Sequence, residues 1–388
     1  MRYYSVLSVF FTFVCLSFST YSSFASDSCT KSVNVSNVIP RRDTRGRWMD
    51  VHDGNLFADP KGSNRYFWIG MGYQNCTEEK GWIPPFDCPG IYRKFGSCGF
   101  REDHAIRLYA SEDLVRWTLL SEDVFPAERR PKGIYFRPKL IYHTIKQTYV
   151  LWINYLAPAS TPLAAYPNAT FLVATASSPQ GPFDVVTPRA AVAHSGGGDF
   201  TLMIDPNDSN ATAYIAYDAW SNSHRVVVET LNSDYTDSLG ASASAGPLSP
   251  SSHEAPILFE RLGYYYLLFG HTCCFCSEGA GSQVMVATHP LGPWNDTGVD
   301  INPKRGLLNG RAVRAQENFV FTISASSNDN STTATYVYTG DRWRSAPDLL
   351  KSHDFQYWEP LRFDDSVDPP TISTLTWLDS FEVCLSFV

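Results

Sequence analysis

Five polar residues stand at intervals that could gather acid–base chemistry in one place: Asp53, Arg137, Asp199, Glu254 and Gln316. They lie 84, 62, 55 and 62 residues apart, each at the head of a strand-like run. Three carboxyl groups, a guanidinium and an amide converging in a cleft would meet the needs of acetal cleavage. One carboxylic acid must protonate the leaving oxygen while a second group supports water on the opposite face. Packed among other carboxylates, the acid's pKa rises, which keeps it protonated near neutral pH.

Each position also has a plainer explanation. Asp53 precedes Gly54, a pair common in turns. Asp199 follows Gly196 to Gly198, which end a loop or let backbone approach a ligand. Glu254 precedes a very apolar run, where a charge is costly unless it faces a polar channel. Arg137 could pair with a structural acid, and Gln316 could satisfy backbone groups.

Bringing such distant residues together requires a repeating scaffold, and a repeat is present. A hydroxylated residue, a turn and an aromatic recur as Ser111 to Trp117, Ser177 to Phe183, Thr288 to Trp294 and Ser352 to Trp358, with a degenerate Ser233-Asp-Tyr235 between. The starts are 66, 56, 55 and 64 residues apart. Ahead of each copy the sequence predicts one strand in Tyr66 to Tyr73, Tyr149 to Tyr155, Ala213 to Tyr217, Tyr264 to Phe269 and Phe319 to Ile323. A second strand precedes each, in His52 to Phe57, Tyr135 to Tyr142, Asp199 to Ile204, Glu254 to Phe259 and Ala312 to Asn318. Helical periodicity is lacking. The expectation is an all-β, five-bladed β-propeller with four-stranded blades, whose innermost strands carry the five polar residues to one end of the axis. A two-sheet sandwich gives no reason for fivefold spacing.

The rest of the sequence indicates export. Arg2, the apolar run Val6 to Phe18 and small residues near Ala25 and Ser26 read as a signal peptide. The expected organisation is residues 1–25 as signal, 26–47 as a polar lead-in and 48–388 as one propeller domain, with Thr371 to Val388 supplying a closing strand. Without Cys15, eight cysteines remain: Cys29, Cys76, Cys88, Cys98, Cys273, Cys274, Cys276 and Cys384. Disulfides are expected among them, with the connectivity open. Seven Asn-x-Ser/Thr sequons, at Asn34, Asn75, Asn168, Asn207, Asn210, Asn295 and Asn330, agree with a secreted glycoprotein. A net charge of −8 argues against nucleic acid as a partner. After signal cleavage no membrane anchor remains, and a monomer is expected.

Several of these stretches resemble glycoside hydrolase family 43, closest to its exo-β-1,3-galactanase-like subgroup. The resemblance rests on Arg137-Pro138-Lys139, Asp199 to Asp205, Glu254-Ala255-Pro256 before Tyr264 to Tyr266, Val51-His52, Gln316 to Phe319 and Trp358 to Leu361. It implies a glycosidase with a glycan substrate, exo-acting and inverting, on β-1,3-linked galactan or related glycans. Glu254 would be the general acid, Asp199 its pKa modulator, Gln316 or Asp53 the support for water, and Arg137 a substrate ligand. Inversion implies about 6.5–9.5 Å between the acid and the water-holding group. The resemblance also implies a structural calcium ion in the channel near a histidine, with His271 the candidate and no other cofactor.

Two departures stand out. Phe136 occupies a place where galactanases tend to have a sugar-binding glutamate. Asp53 occupies one where they tend to have glycine. Candidate sugar-binding residues in the first blade are His52, Trp68 and Tyr73, and further aromatics that could stack are Trp82, Trp152, Tyr217 and Trp220. The rival readings are a catalytically silent sugar-binding propeller and an arabinosidase or xylosidase of the same fold.

Overall fold

The computed structural model describes residues 31–78, 98–99, 101–158, 168–273, 275–305, 310–323 and 334–385. The expected signal peptide, Cys29, Cys88, Cys274, Trp82 and the sequon Asn330 lie outside these. Lys31–Ser36, within the expected lead-in, forms strand β1. The first blade follows as β2 (His52–Ala58), β3 (Tyr66–Gly72), β4 (Ala105–Ser111) and β5 (Thr118–Ser121). The second is β6 (Ile134–His143), β7 (Thr148–Leu156), β8 (Ala169–Ala176) and β9 (Asp184–Thr187). The third comprises β10 (Gly197–Ile204), β11 (Ala213–Ala219), β12 (Arg225–Thr230) and β13 (Ser244–Ala245). The fourth holds β14 (His253–Arg261), β15 (Tyr264–His271), β16 (Gln283–Ala287) and β17 (Asn295–Asp300). In the fifth, β18 (Gln316–Ile323), β19 (Thr335–Arg342) and β20 (Phe355–Pro360) form the sheet. The short pair β21 (Phe363–Asp364) and β22 (Thr371–Ile372) follows it. β23 (Ser380–Leu385) ends the described chain.

Each blade is an antiparallel meander, so short turns suffice between strands. Burial falls from the axis outward: β7 (TYVLWINYL) is almost wholly buried, whereas β17 (NDTGVD) is largely exposed. A sheet face sandwiched between neighbouring blades must be apolar, and an outer edge strand gains by being polar. The repeated phrase leads from the third strand to the fourth in the first four blades. Its aromatic plugs the gap to the next layer, as with Trp117 and Phe183, both fully buried. In the fifth blade the phrase runs into the third strand instead, with Trp358 on β20. There the two strands predicted over 312–323 are a single inner strand, and β19 was not anticipated.

The chain ends clasp each other. β23 pairs antiparallel with β1, from Lys31 opposite Leu385 to Ser36 opposite Ser380, so it does not complete the fifth sheet. Val35, Val383 and Leu385 of this ribbon pack into one core with Leu56, Trp68 and Trp117 of the first blade and Phe321 and Trp358 of the fifth. Ring closure is thus apolar packing, each large side chain contributing roughly 3 kcal/mol by burial. The described part of Asp27 to Arg47 is therefore structural as well as polar.

One irregularity is repeated in every blade. The inner strand slips register between His52 and Asn55, Phe136 and Lys139, Gly197 and Phe200, Glu254 and Ile257, and Glu317 and Phe319. A bulge adds a residue to one strand and re-aims its side chains. Asp53, Arg137 and Ala255 lie in these bulges with φ of 58°, 46° and 55°. At Gly54 a Cβ would stand 1.7 Å from the Ile69 carbonyl oxygen, so only glycine permits that strand contact.

Candidate active site

Asp53, Arg137 and Asp199 lie within these slips and Glu254 and Gln316 just ahead of them, and the five side chains meet. Arg137, on β6, is the centre. Its Nε donates to Asp199 Oδ1 at 2.7 Å, its Nη2 lies 3.6 Å from Asp53 Oδ1, and its Nη1 donates to the Glu317 carbonyl and Asn318 Oδ1, each at 3.1 Å. One side chain thereby reaches the first, third and fifth blades, which only a group at the axis can do. Burial opposes the guanidinium charge, but Asp199, Asp53 and Glu254 outweigh it and hold its pKa above the ordinary value.

Gln316 joins the other carboxylates. Its Nε2 donates to Glu254 Oε1 at 2.7 Å and reaches Asp199 Oδ2 at 3.4 Å. Its Oε1 accepts the indole N–H of Trp343 at 2.8 Å, which fixes the amide orientation. The same Glu254 oxygen accepts the backbone N–H of Cys273. Among the described residues no donor reaches Glu254 Oε2, and that residue is 8% exposed. Burial, then Asp199 and Asp218, push the Glu254 carboxyl well above the ordinary range.

Asp53 stands on the far side of Arg137 from Glu254. Its backbone N–H donates to Asp341 Oδ2 at 2.7 Å, and Tyr73 donates its hydroxyl to Oδ2 at 3.0 Å. Burial raises the Asp53 pKa to about 6, with Arg137 pulling it back and Asp341 and Asp199 adding to the rise. The order across the pocket is Asp53, Arg137, Asp199, Gln316, Glu254. The side chain of Asp199 is the most open of these charged groups, at 21% exposed.

Other expected site residues lie elsewhere. Trp68 packs on Trp117 and Trp358 in the first-to-fifth-blade core, since its strand position faces the neighbouring blade rather than the axis. Trp152 and Tyr217 are core residues of the second and third blades. His52 is fully buried behind the site, its Nδ1 3.0 Å from Asp341 Oδ1. Burial alone would lower its pKa, but Asp341 raises it and is itself held low by the histidine. Tyr73 is buried too, and touches the site through its hydroxyl, not an open ring face. Trp220 does border the pocket: a Cβ at Gly198 would strike its Nε1 and Asp218 Oδ2. Gln316 lies against Glu254, which corrects its expected place across a water-filled gap; the amide bonds the acid directly.

Two residues were missed. Asp218 on β11 is fully buried, its Oδ2 2.9 Å from His224 Nδ1, and burial lifts its pKa to about 6. An acid in the apolar run AYIAYDA was a usable signal. Asp341 was missed because β19 was missed.

His271, the expected calcium ligand, ends β15 on the exposed side. Its ring is tilted against His253, 4.5 Å between centroids, and burial, His253 and Arg311 lower its pKa. Deeper in the channel, Lys139 Nζ donates to the carbonyls of Asp53, Gly54 and Asn318 at 3.1, 2.7 and 3.0 Å. Burial, then Arg137, bring its pKa down to about 7. An ammonium fills the place where carbonyls would hold a metal, so a channel calcium ion does not fit there. Among the described residues, Asp218, His224 and Glu254 could meet on one cation, but it would compete with the Glu254 proton.

With this geometry in place, the chain can be set beside known proteins. The sequence profile of Glycosyl hydrolases family 43 matches residues 95–305, just over half of the chain. The chain belongs to this family. Its members are glycosidases. No curated protein sequence matches the chain. Solved structures with the same fold include an exo-β-1,3-galactanase from Clostridium thermocellum, 20% identical with a TM-score of 0.67, covering 92% of this chain and 68% of that one. The exo-β-1,3-galactanase of Phanerochaete chrysosporium with galactose is 22% identical, TM-score 0.64, covering 90% and 68%. A family 43 β-1,3-galactosidase is 20% identical, TM-score 0.66, covering 91% of this chain and 64% of that one. This family 43 chain thus spans about two thirds of their lengths. At such identity the likeness speaks for the propeller fold.

Proposed function

We propose that this family 43 enzyme is a secreted, exo-acting, inverting glycosidase that removes terminal galactose from β-1,3-linked galactan or related glycans. Glu254 Oε2 gives its proton to the glycosidic oxygen as the C1–O bond breaks. Asp53, ionised above about pH 6, takes a proton from the water that attacks C1 from the opposite face. Product and leaving sugar then carry the two oxygens, and C1 is inverted. Arg137 and Asp199 hold the sugar hydroxyls between the two carboxyls, and Gln316 orients the acid.

The observation that carries this reading is the pair of buried, pKa-raised carboxyls at opposite ends of the Arg137–Asp199 ion pair. The near-complete burial of Glu254 favours attack on a chain end, since an internal unit would need an open groove. The galactanase neighbours favour galactose. Export is supported by the sequons: all six in described residues, Asn34, Asn75, Asn168, Asn207, Asn210 and Asn295, are exposed. Disulfides add to it, with Cys76–Cys98 closed and Cys276 and Cys384 also bonded.

Glu254→Gln should lower turnover of β-1,3-galactobiose by roughly 10²–10⁴-fold. The loss should be much smaller on an aryl galactoside whose leaving group needs no proton. NMR of the first product should show the α-anomer. Equal losses on both substrates, or a β-product, would remove the assignment.

A further inference from the structure

The group that ties the site together from behind is Lys351. It lies on the short turn Lys351–His353 before β20, and its side chain is fully buried. Its Nζ sits 4.1 Å from the ring centroid of Phe275, 4.2 Å from Trp343 and 4.6 Å from Tyr73. The three rings meet edge to face, at interplanar angles of 83–89°, so they form a box around the cation. Glu78 and Asp354 lie 3.4 and 3.7 Å away, and the ammonium makes no hydrogen bond of good geometry among the described residues. Cations are drawn to aromatic faces at such distances, more strongly when water is excluded.

Each wall of the box bears on a different residue of the site. Tyr73 donates its hydroxyl to Asp53, and Trp343 donates its indole N–H to Gln316. Phe275 lies two residues after Cys273, whose backbone N–H holds Glu254. The Lys351 backbone N–H in turn donates to the Cys76 carbonyl, at the disulfide that closes the first blade's loop. A lysine kept only as counter-ion to Glu78 and Asp354 would take hydrogen-bonding geometry with them; this one instead centres itself among the rings.

We propose that Lys351 is a positioning residue: its ammonium fixes Tyr73, Trp343 and Phe275, and through them the base, the amide and the loop whose Cys273 N–H holds the acid. The inference rests on the glycosidase reading above, and its test separates the two. Lys351→Met keeps length and removes charge. It should retain the native near-ultraviolet circular dichroism and a KM within about threefold, while kcat falls about 10–100-fold. The acidic limb of the kcat/KM profile should also move to higher pH, because the Tyr73 hydrogen bond that lowers the Asp53 pKa is loosened. A fall in melting temperature with wild-type kcat and pH profile would overturn the proposal and leave Lys351 a counter-ion.

Should Lys351→Met fail to fold, Lys351→Arg carries the test. It keeps the charge beside Glu78 and Asp354 but cannot face three rings with one planar group, so the same losses are expected. Wild-type kinetics in that variant would overturn the proposal. A wild-type protein that cleaves no glycoside sinks the glycosidase reading and this inference with it; active wild type with unaffected variants sinks the inference alone.

Discussion

Replacing Asp218 by Asn tests the electrostatics of the acid without touching its hydrogen bonds. The ligand atoms of Asp218, His224 and Glu254 lie within 4.8 Å of one another, and the Asp218 charge helps to raise the Glu254 pKa. Two unit charges at that spacing repel by about 3.5 kcal/mol at an effective dielectric constant near 20. His224, 2.9 Å from Asp218, offsets part of its charge, leaving roughly half. That half corresponds to about one pH unit. Asp218→Asn should therefore move the alkaline limb of kcat/KM about one pH unit toward acid, with the acidic limb in place. The assay is β-1,3-galactobiose hydrolysis from about pH 4 to about pH 10, since kcat/KM reports the free enzyme. An alkaline limb that stays put or moves upward in a normally folded variant would refute Asp218 as a source of the shift.

Two further outcomes concern the scaffold. Glu317 is fully buried beside the Ser282 hydroxyl, and burial pushes its pKa well above the ordinary 4.5 of a glutamic acid. The folded chain keeps that proton while the unfolded chain releases it above about pH 4.5, so stability falls as pH rises past that point. Glu317→Gln should raise the melting temperature at neutral pH and leave it unchanged near pH 4, read by scanning fluorimetry; a lower value at neutral pH contradicts this. Trp68→Ala should cost about 3–5 kcal/mol in denaturant unfolding while KM stays unchanged. A raised KM would return Trp68 to the sugar pocket.

The propeller and its five site residues were legible because the signals are local and repeated. An apolar run headed by a polar residue marks an inner strand wherever its charge can face the axis, as at Glu254 and Asp199. Sequence is silent where identity and direction part company. Trp68 and Tyr73 are both aromatics near the head or tail of β3, yet only the second is turned toward Asp53. The reach of Arg137 and Lys139 across three blades has no counterpart in sequence spacing. Lys351 was invisible for the same reason: its partners come from residues 73, 275 and 343. In the fifth blade, the sequence divides 312–323 into two strands where the structure has one inner strand over 316–323, which hides β19 and with it Asp341.

The register slips at the head of every inner strand separate two tasks that a regular ladder would fuse. Below each slip, pairing and packing hold the ring; above it, the side chains leave the ladder and meet one another at the axis, as Arg137 meets Asp199. Replacing a residue there leaves the alternation of the strand beneath unchanged, so one frame can be refitted to another sugar through a handful of exchanges at its rim.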